Sequence, residues 1–514
     1  MREPVGRRVA RAAGLVMALF LVSRVTGLAR QMIVGAYFGT SPDYDAYVAA
    51  FRIPDMLFQL VAGGALVSAL LPTYTSVRTR EGAGRAWQLV SEVLTLVFLI
   101  LTLAAVLVAL FARPLVAHLL VPDFTPAQQA LTASLLRILL LSTVIFGVSG
   151  LAMSVLNAHH HFFLPALAPS MYNLGIIGGA VLLGRTWGVY GLAWGVVVGA
   201  ALHLGVQLPG LRRVGMRFRP AFSLADPAVR TVLRLMGPRV VGLAAVQVNF
   251  LVNTVLASGL SPGRLSALDY AFRLMLLPLG IFAQSVATAA FPTFAQQVAE
   301  GDTGGMQRTL RALLRNILFL TLPATVGLFF LATPLVAVLF QRRAFDATST
   351  ALTAAALRAY AVGLCGHAVV EILARAYYAL QDTRTPVLIG VAAMGLNILL
   401  NLWWVHLWGH VGLALANSVA TLLEGTTLIL VLQRRLGYVM ARDLSWSLGR
   451  QLVAAVVTAW ALWSLSTLIS LPAWLTLGLG TLLGVGVYLG MAVLLDSDEV
   501  GEITRLLSSR SPLG

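Results

Sequence analysis

Apolar runs of the length needed to cross a bilayer recur from one end of this chain to the other, and they leave room for few other folds. With about 20 apolar residues taken as one span, helices are predicted at 13–38, 44–73, 86–112, 129–157, 162–184, 186–208, 229–258, 266–297, 308–333, 349–379, 385–406, 411–433, 448–469 and 472–495, fourteen in all. In hydrocarbon every backbone N–H and C=O needs an internal partner, so such runs fold as helices. A mean hydropathy of +0.85 with 11% charged residues agrees. The expected class is an all-α polytopic membrane protein, and a soluble enzyme is excluded. The opening MREPVGRRVARAAGLVMALFLVSR starts like a signal peptide, yet its apolar core runs into Arg24 without a cleavage site, so it reads as a retained first helix.

The short connections set the orientation. One side receives Arg2, Arg7, Arg8, Arg11, Arg78, Arg80, Arg85, Arg212, Arg213, Arg217, Arg219, Arg308, Arg384, Arg434, Arg435, Arg442, Arg505 and Arg510; the other receives Arg113, Arg185, Arg264, Arg342 and Arg343. Both termini are therefore expected in the cytoplasm, as an even span count requires, with the Arg342-Arg343 pair running against the trend.

All 36 basic residues are arginine, and the net charge is +16. A coding bias explains the absence of lysine, while bidentate phosphate contacts are the functional alternative. The arginines are dispersed among apolar spans, which argues against nucleic acid as a partner. Cys365 stands alone, so one chain cannot build a disulfide or a thiolate metal site. Nothing resembles a phosphate-binding loop, a kinase set or a nucleophile elbow. No enzyme activity, cofactor or metal is expected, and any energy for work across the membrane would come from a gradient or from the substrate.

Four landmarks repeat at nearly one offset. Ala50-Phe51-Arg52 returns as Ala271-Phe272-Arg273, Pro165 as Pro386, and Tyr190-Gly191-Leu192-Ala193 as Val411-Gly412-Leu413-Ala414, each 221 residues later, while Leu71-Pro72-Thr73-Tyr74 returns as Phe291-Pro292-Thr293-Phe294 after 220. The offset spans six predicted helices, an even number, so the halves enter the membrane with the same polarity and are expected to be related by an axis along its normal. Residues 1–220 form the first lobe, 221–440 the second, and 441–514 two further helices and a cytoplasmic end. Such duplicated bundles suit transport by alternating access; a repeat kept only for folding is the alternative.

Arginine in the middle of a span costs about 2.5 to 3.5 kcal/mol, so it should face a polar cavity. Arg24 and Arg30 lie in the first span with no acidic residue between Glu3 and Asp43. They would attract an anion, phosphate first, unless they snorkel to an interface. Arg52 and Arg273 hold equivalent places in the repeats, each followed by a proline that loosens its helix, Pro54 and Pro278. Asp55 and Asp269 stand at spacings that permit intrahelical pairs with them, so structural pairing and substrate contact both stay open. Glu371 and Arg375 form another such pair, and Glu424 has no evident partner in its span. His159, His160 and His161 read as a solvated loop and not a metal site.

Ser23-Arg24-Val25-Thr26-Gly27-Leu28-Ala29-Arg30, then Phe38-Gly39 and Asp45-Ala46-Tyr47, resemble the opening of the bacterial lipid II flippases, the MurJ (MviN) family. Tyr377-Tyr378-Ala379-Leu380-Gln381-Asp382-Thr383-Arg384-Thr385-Pro386 is more characteristic still, and Leu339-Phe340 with Ala359-Tyr360-Ala361-Val362-Gly363-Leu364 agrees. The resemblance implies a fourteen-helix fold of the multidrug/oligosaccharidyl-lipid/polysaccharide exporter superfamily in the bacterial inner membrane. It implies movement of an undecaprenyl-diphosphate-linked peptidoglycan precursor from the cytoplasmic to the outer leaflet by a monomer, with cell-wall synthesis or division proteins as candidate partners. Arg24, Arg30 and Arg273 match the family's cavity arginines, Asp45 its acidic residue entering the second helix, and the two extra spans a groove for the lipid tail. Gln31, Phe58-Gln59 and Gly63 stand where the family often carries charge, and Arg52 is a candidate replacement. An exporter of another lipid-linked oligosaccharide or of a cationic drug, and a membrane scaffold without transport, are the rival readings.

Overall fold

The computed structural model describes residues 5–61, 64–437, 442–497, 499 and 501. Among these every regular element is a helix, and none is a strand. Arg2, Gly63, Arg505 and Arg510 lie outside the described residues.

Two compact units divide the chain: Met1–Leu265 with Arg342–Phe345, and Ser266–Gln341 with Asp346–Gly514. In the first lie α1 (Val5–Phe38), α2 (Pro42–Val61), α3 (Gly64–Glu81), α4 (Ala83–Leu110), α5 (Ala112–Leu115), α6 (Pro126–Ala158), α7 (Phe163–Gly178), α8 (Gly184–Trp187), α9 (Val189–Gly205), α10 (Leu208–Arg213) and α11 (Pro227–Ser258). Helix α1 packs on α7, α7 on α9 and α9 on α6, while α6 also meets α2 and α4 and α11 closes on α2 and α3. Without a hydrophobic force between helices in lipid, such packing depends on close approach. Glycines at four-residue spacing supply it between α9 and α7 with the π-helical turn Gly179–Leu183 that continues it: a Cβ on Gly179 would meet the Cα of Gly195, and one on Gly175 that of Gly199. A second core, between α3, α4, α6 and α11, buries Leu66, Leu70, Tyr74, Val90, Leu151 and Val232. Because α11 packs there, the division falls at 265/266, beyond the 220/221 boundary drawn from the repeat.

The second unit holds most of α12 (Arg264–Pro278), then α13 (Ser285–Ala299), α14 (Thr303–Phe330), α15 (Ala332–Phe340), α16 (Ala347–Val362), α17 (Leu364–Ala379), α18 (Arg384–Trp408), α19 (His410–Leu436), α20 (Arg442–Leu468) and α21 (Ala473–Leu494). Helix α19 packs on α16, α17 and α18, and α14 on α17 and α20. Pro278 hands α12 to a π-helical turn, Leu279–Gln284, the backbone irregularity expected of an intrahelical proline.

Among the described residues eleven helices are long and apolar enough to cross a membrane, or twelve if Ala347–Val362 and Leu364–Ala379, bent by 45°, make one span. Against the fourteen expected, two runs fall short of that test while still being helical. The run 44–73 is described as α2 and α3, on either side of residues 62–63, which lie outside the described residues, and α2 carries Asp43, Asp45, Arg52 and Asp55. The run 229–258 is α11, of which Leu243–Ser258 is the apolar part.

Duplication is written into the backbone. Gly188 and Gly409, 221 residues apart, share one left-handed conformation (φ 55°, ψ −136° and φ 56°, ψ −133°) before α9 and α19. His160 and Gln381 match in the same way, at φ 58° and 57°. Thr125 and Asp346, again 221 apart, cap α6 and α16 through side-chain oxygens, accepting from Gln128 N and Ser349 N.

Candidate functional site: arginines within the spans

One stripe of α1 faces α7. Asn173 Nδ2 donates to Ser23 O (3.4 Å) and Thr26 Oγ1 (3.3 Å), and Gly27 lies beneath the same amide. Positions 23, 26, 27 and 30 share this stripe by helical period, which leaves Arg30 half-buried. Arg24 falls off it, about 120° around the axis and ~9 Å along it from Arg30. It is exposed and makes no ion pair or hydrogen bond among the described residues. The two arginines of the first span thus differ: one is packed against a helix, the other presents its guanidinium.

Helix α2 begins on a buried carboxylate. Asp45, 2% exposed, accepts the backbone N–H of Gly263 at 2.5 Å. Gly263 holds φ 88°, and a Cβ there would stand 2.5 Å from Thr40 O, so the turn before α12 is seated on the turn before α2. Asp45 therefore positions backbone and offers no open oxygen surface. Two turns along the same face of α2, Arg52 Nε donates to Thr254 Oγ1 (3.1 Å) and its guanidinium lies 5.5 Å from the Phe250 ring, both on α11. Around these contacts α11 buries Gln247, Asn249 and Thr254, and Asn249 Oδ1 has no hydrogen-bond partner among the described residues. These residues were not singled out from sequence, although polar side chains spaced along Leu243–Ser258 were the available signal.

Arg342-Arg343, the pair that ran against the orientation trend, belongs to the first unit. Ala344 N donates to Ala36 O (3.1 Å), Arg343 lies 5.1 Å over the Tyr37 ring, and Gly39 (φ 56°) has Ala344 O where a Cβ would go.

In the second unit Arg273 is held by Asp269 one turn earlier on α12, with Nε to Oδ2 at 2.7 Å and Nη2 to Oδ1 at 3.3 Å. The intrahelical pair left open by the sequence is formed, with the Arg273 side chain still 45% exposed. Glu371 and Arg375 pair at 3.7 Å. Glu424 is half-buried beside Gly390 and has no ion pair or hydrogen bond among the described residues.

The characteristic stretch 377–386 builds a turn. Tyr377 donates its hydroxyl to Leu428 O (2.9 Å), Gln381 takes the left-handed conformation, and Asp382 accepts Thr385 Oγ1 (2.6 Å), Thr385 N (3.0 Å) and Arg435 Nη1 (2.5 Å). Burial would raise the Asp382 carboxyl, but Thr385, Arg435 and the Arg384 N–H outweigh it and hold it below the usual carboxylate range. In the first unit Asp226 caps α11 and pairs with Arg85; burial pushes its carboxyl up, and Arg85 with the N–H groups of Ala228 and Val229 brings it below the ordinary value. His159 is no solvated loop residue: its ring stacks on Trp87 at 5.6 Å and bonds Tyr74 Oη at 2.7 Å, and burial together with Arg78 lowers its pKa.

Helix α1 thus places Arg30 on its α7 face and Arg24 off it, and α2, packed on α6 and α11, carries Asp45 and Arg52. A guanidinium in a span without a carboxylate offers paired N–H donors matched to phosphate oxygens.

A family model described as Lipid II flippase MurJ matches residues 34–480. A protein of Burkholderia cenocepacia named Lipid II flippase MurJ is 36% identical over 83% of this chain and 84% of its own length. One of Vibrio cholerae serotype O1, named Probable lipid II flippase MurJ, is 32% identical over 91% and 92%. Among solved structures, Lipid II flippase MurJ in an inward closed conformation superposes with a TM-score of 0.80 at 26% identity, covering 94% of this chain and 99% of that one. An inward-facing multidrug resistance MATE transporter of the MOP superfamily follows the same fold at 15% identity and a TM-score of 0.67, covering 83% and 98%.

Proposed function

The chain belongs to the lipid II flippase MurJ family, and from that premise we propose that this multi-pass membrane protein moves lipid II from the cytoplasmic to the outer leaflet of the bacterial inner membrane, with arginines in its spans holding the diphosphate. The lipid-linked precursor and the surrounding membrane lipid are its partners; both termini face the cytoplasm. The observation that carries the arginine reading is Arg24, exposed within an apolar span and without an ion pair or hydrogen bond among the described residues. Moving a diphosphate through a low-dielectric layer is prohibitive unless cations replace its water. Arg24 is the principal contact, Arg30 and Arg273 add charge, and Asp45 fixes the start of the helix on which Arg52 packs against α11. The two six-helix repeats, with boundaries at 220 and 440, alternate access to the substrate, while the helices after 441 support its prenyl tail.

The clamp has to release as well as bind, and each arginine differs in how it is held. Arg273 has Asp269 as a resident competitor for phosphate, which lowers the cost of letting the substrate go. Complementation tests the proposal: in a bacterium depleted of its own lipid II flippase, this chain restores growth and outer-leaflet lipid II, and Arg24→Ala at equal abundance does not. Full rescue by both Arg24→Ala and Arg273→Ala would refute the clamp. Arg24→Lys asks whether a point charge suffices.

A further inference from the structure

Arg137 and Arg358 hold one place in the two halves, 221 residues apart. Each serves a helix end in its own unit: Arg137 Nε donates to Ala109 O (3.0 Å) in the last turn of α4, and Arg358 Nε to Phe329 O (3.3 Å) in the last turn of α14. Terminal carbonyls lack intrahelical donors, so a cation is favoured there. That is helix capping, and in the first unit it takes place on the surface, where Arg137 is exposed.

In the second unit the equivalent guanidinium is half-buried beside a hollow. Helices α20 and α21 lie outside the repeat, and they pack on α14 and α15. Between them and the capped helix end is a hollow of about 790 Å³, with Phe329, Phe330 and Trp463 among its walls and Gln341 and Ser470 among its polar lining. Among the described residues Arg358 is its one charged lining residue, and no carboxylate lines it. Nη2 of Arg358 donates to Thr333 Oγ1 (2.9 Å), whereas Nη1, Gln341 and Ser470 make no side-chain hydrogen bond among the described residues. The rim turns outward: Trp463 is 50% and Ile469 49% exposed, on a helix hairpin whose surroundings in a membrane are lipid. Tryptophan at a hairpin end suits the headgroup level of a bilayer.

We propose that this hollow holds one phosphate-bearing membrane lipid. Its phosphodiester sits on Arg358, with Gln341 and Ser470 completing the oxygen contacts, and its acyl chains lie along Phe329, Phe330 and Trp463. Charge, hydrogen-bond donors and apolar walls converge on an anionic amphiphile and on no cation. The site uses none of the residues assigned to the diphosphate and stands whether or not that assignment does.

Native mass spectrometry of the full chain in detergent, titrated with dioleoylphosphatidylglycerol, tests it, and Arg137 is the internal control. One lipid is expected to survive detergent washing. Arg358→Gln weakens its retention about tenfold, the worth of one charge-assisted hydrogen bond. Arg137→Gln retains it like the native chain. Ser470→Asp leaves the cap intact but places a negative charge on the rim, and also loses the lipid; this variant decides the matter should Arg358→Gln fail to fold. Equal retention in Arg358→Gln and Ser470→Asp overturns the proposal, as does equal loss in Arg137→Gln, which would mean that positive charge anywhere suffices. Displacement of the lipid by millimolar inorganic phosphate would also overturn it, since the ligand would then be the free anion.

Discussion

Arg52 and Arg273 began as one residue of a duplicated helix and are now held differently. Arg52 reaches off its own helix, to the Thr254 hydroxyl and the Phe250 ring of α11. Arg273 turns back along its own helix to Asp269, and the position equivalent to Asp269 in the first repeat is Val48. A cation tied to a neighbouring helix is part of the packing. One neutralised within its own helix can exchange its counter-ion for another without moving a helix. The duplication kept the guanidinium and changed what it answers to, and Arg24 extends the series to a guanidinium without such a partner among the described residues.

That series orders the expected effects. Arg24→Ala should be the largest for transport, about a hundredfold loss if two charge-assisted hydrogen bonds to phosphate disappear, with an unchanged unfolding midpoint in detergent. A shifted midpoint would mean that Arg24 has a structural role. Arg273→Ala comes next, about tenfold in outer-leaflet lipid II, and it costs stability as well, because Asp269, 9% exposed, keeps its charge. The double change Asp269→Asn with Arg273→Gln removes both charges and separates the two effects. Recovered stability with transport still impaired is expected; recovered transport would make the pair purely structural and break the comparison.

The span pattern and the duplication were legible because the repeat conserves what punctuates helices. Gly188 and Gly409 keep one strained turn, and Thr125 and Asp346 keep one cap with different chemistry, so the offset survives where identity does not. What periodicity could not reveal was partner choice. Nothing near Asp45 in the sequence announces Gly263 as its donor, since that contact depends on how two distant turns meet. Likewise α11 begins the second repeat by sequence but buries Val229 and Val232 with α3 and α4. The run 377–386 advertised kinship without its physical cause, which is a turn locked through Tyr377 and Asp382.

Arg52→Ala should act mainly on stability, about 1 to 2 kcal/mol from the lost hydrogen bond and cation–π contact. Thr254→Val should reproduce about half of that, read from unfolding midpoints. If Thr254→Val were silent while Arg52→Ala abolished transport, Arg52 would belong with Arg24 and not with the packing.

The smallest effect concerns Asp382, a carboxylate neutralised across elements as Asp269 is within one. Its Arg435 partner is 51% exposed, so solvent screens the pair and its worth stays below about 1 kcal/mol. The sign follows from its pKa, which lies below the ordinary value in the folded chain. The stabilisation is complete above the unfolded carboxylate pKa and is lost as pH falls through the depressed folded value. Between about pH 7 and pH 3, the unfolding midpoint of the native chain should therefore drop more than that of Asp382→Asn, which has no such charge to lose. Parallel pH curves would show that Thr385 and the backbone N–H groups, and not the ionised carboxylate with Arg435, hold this turn.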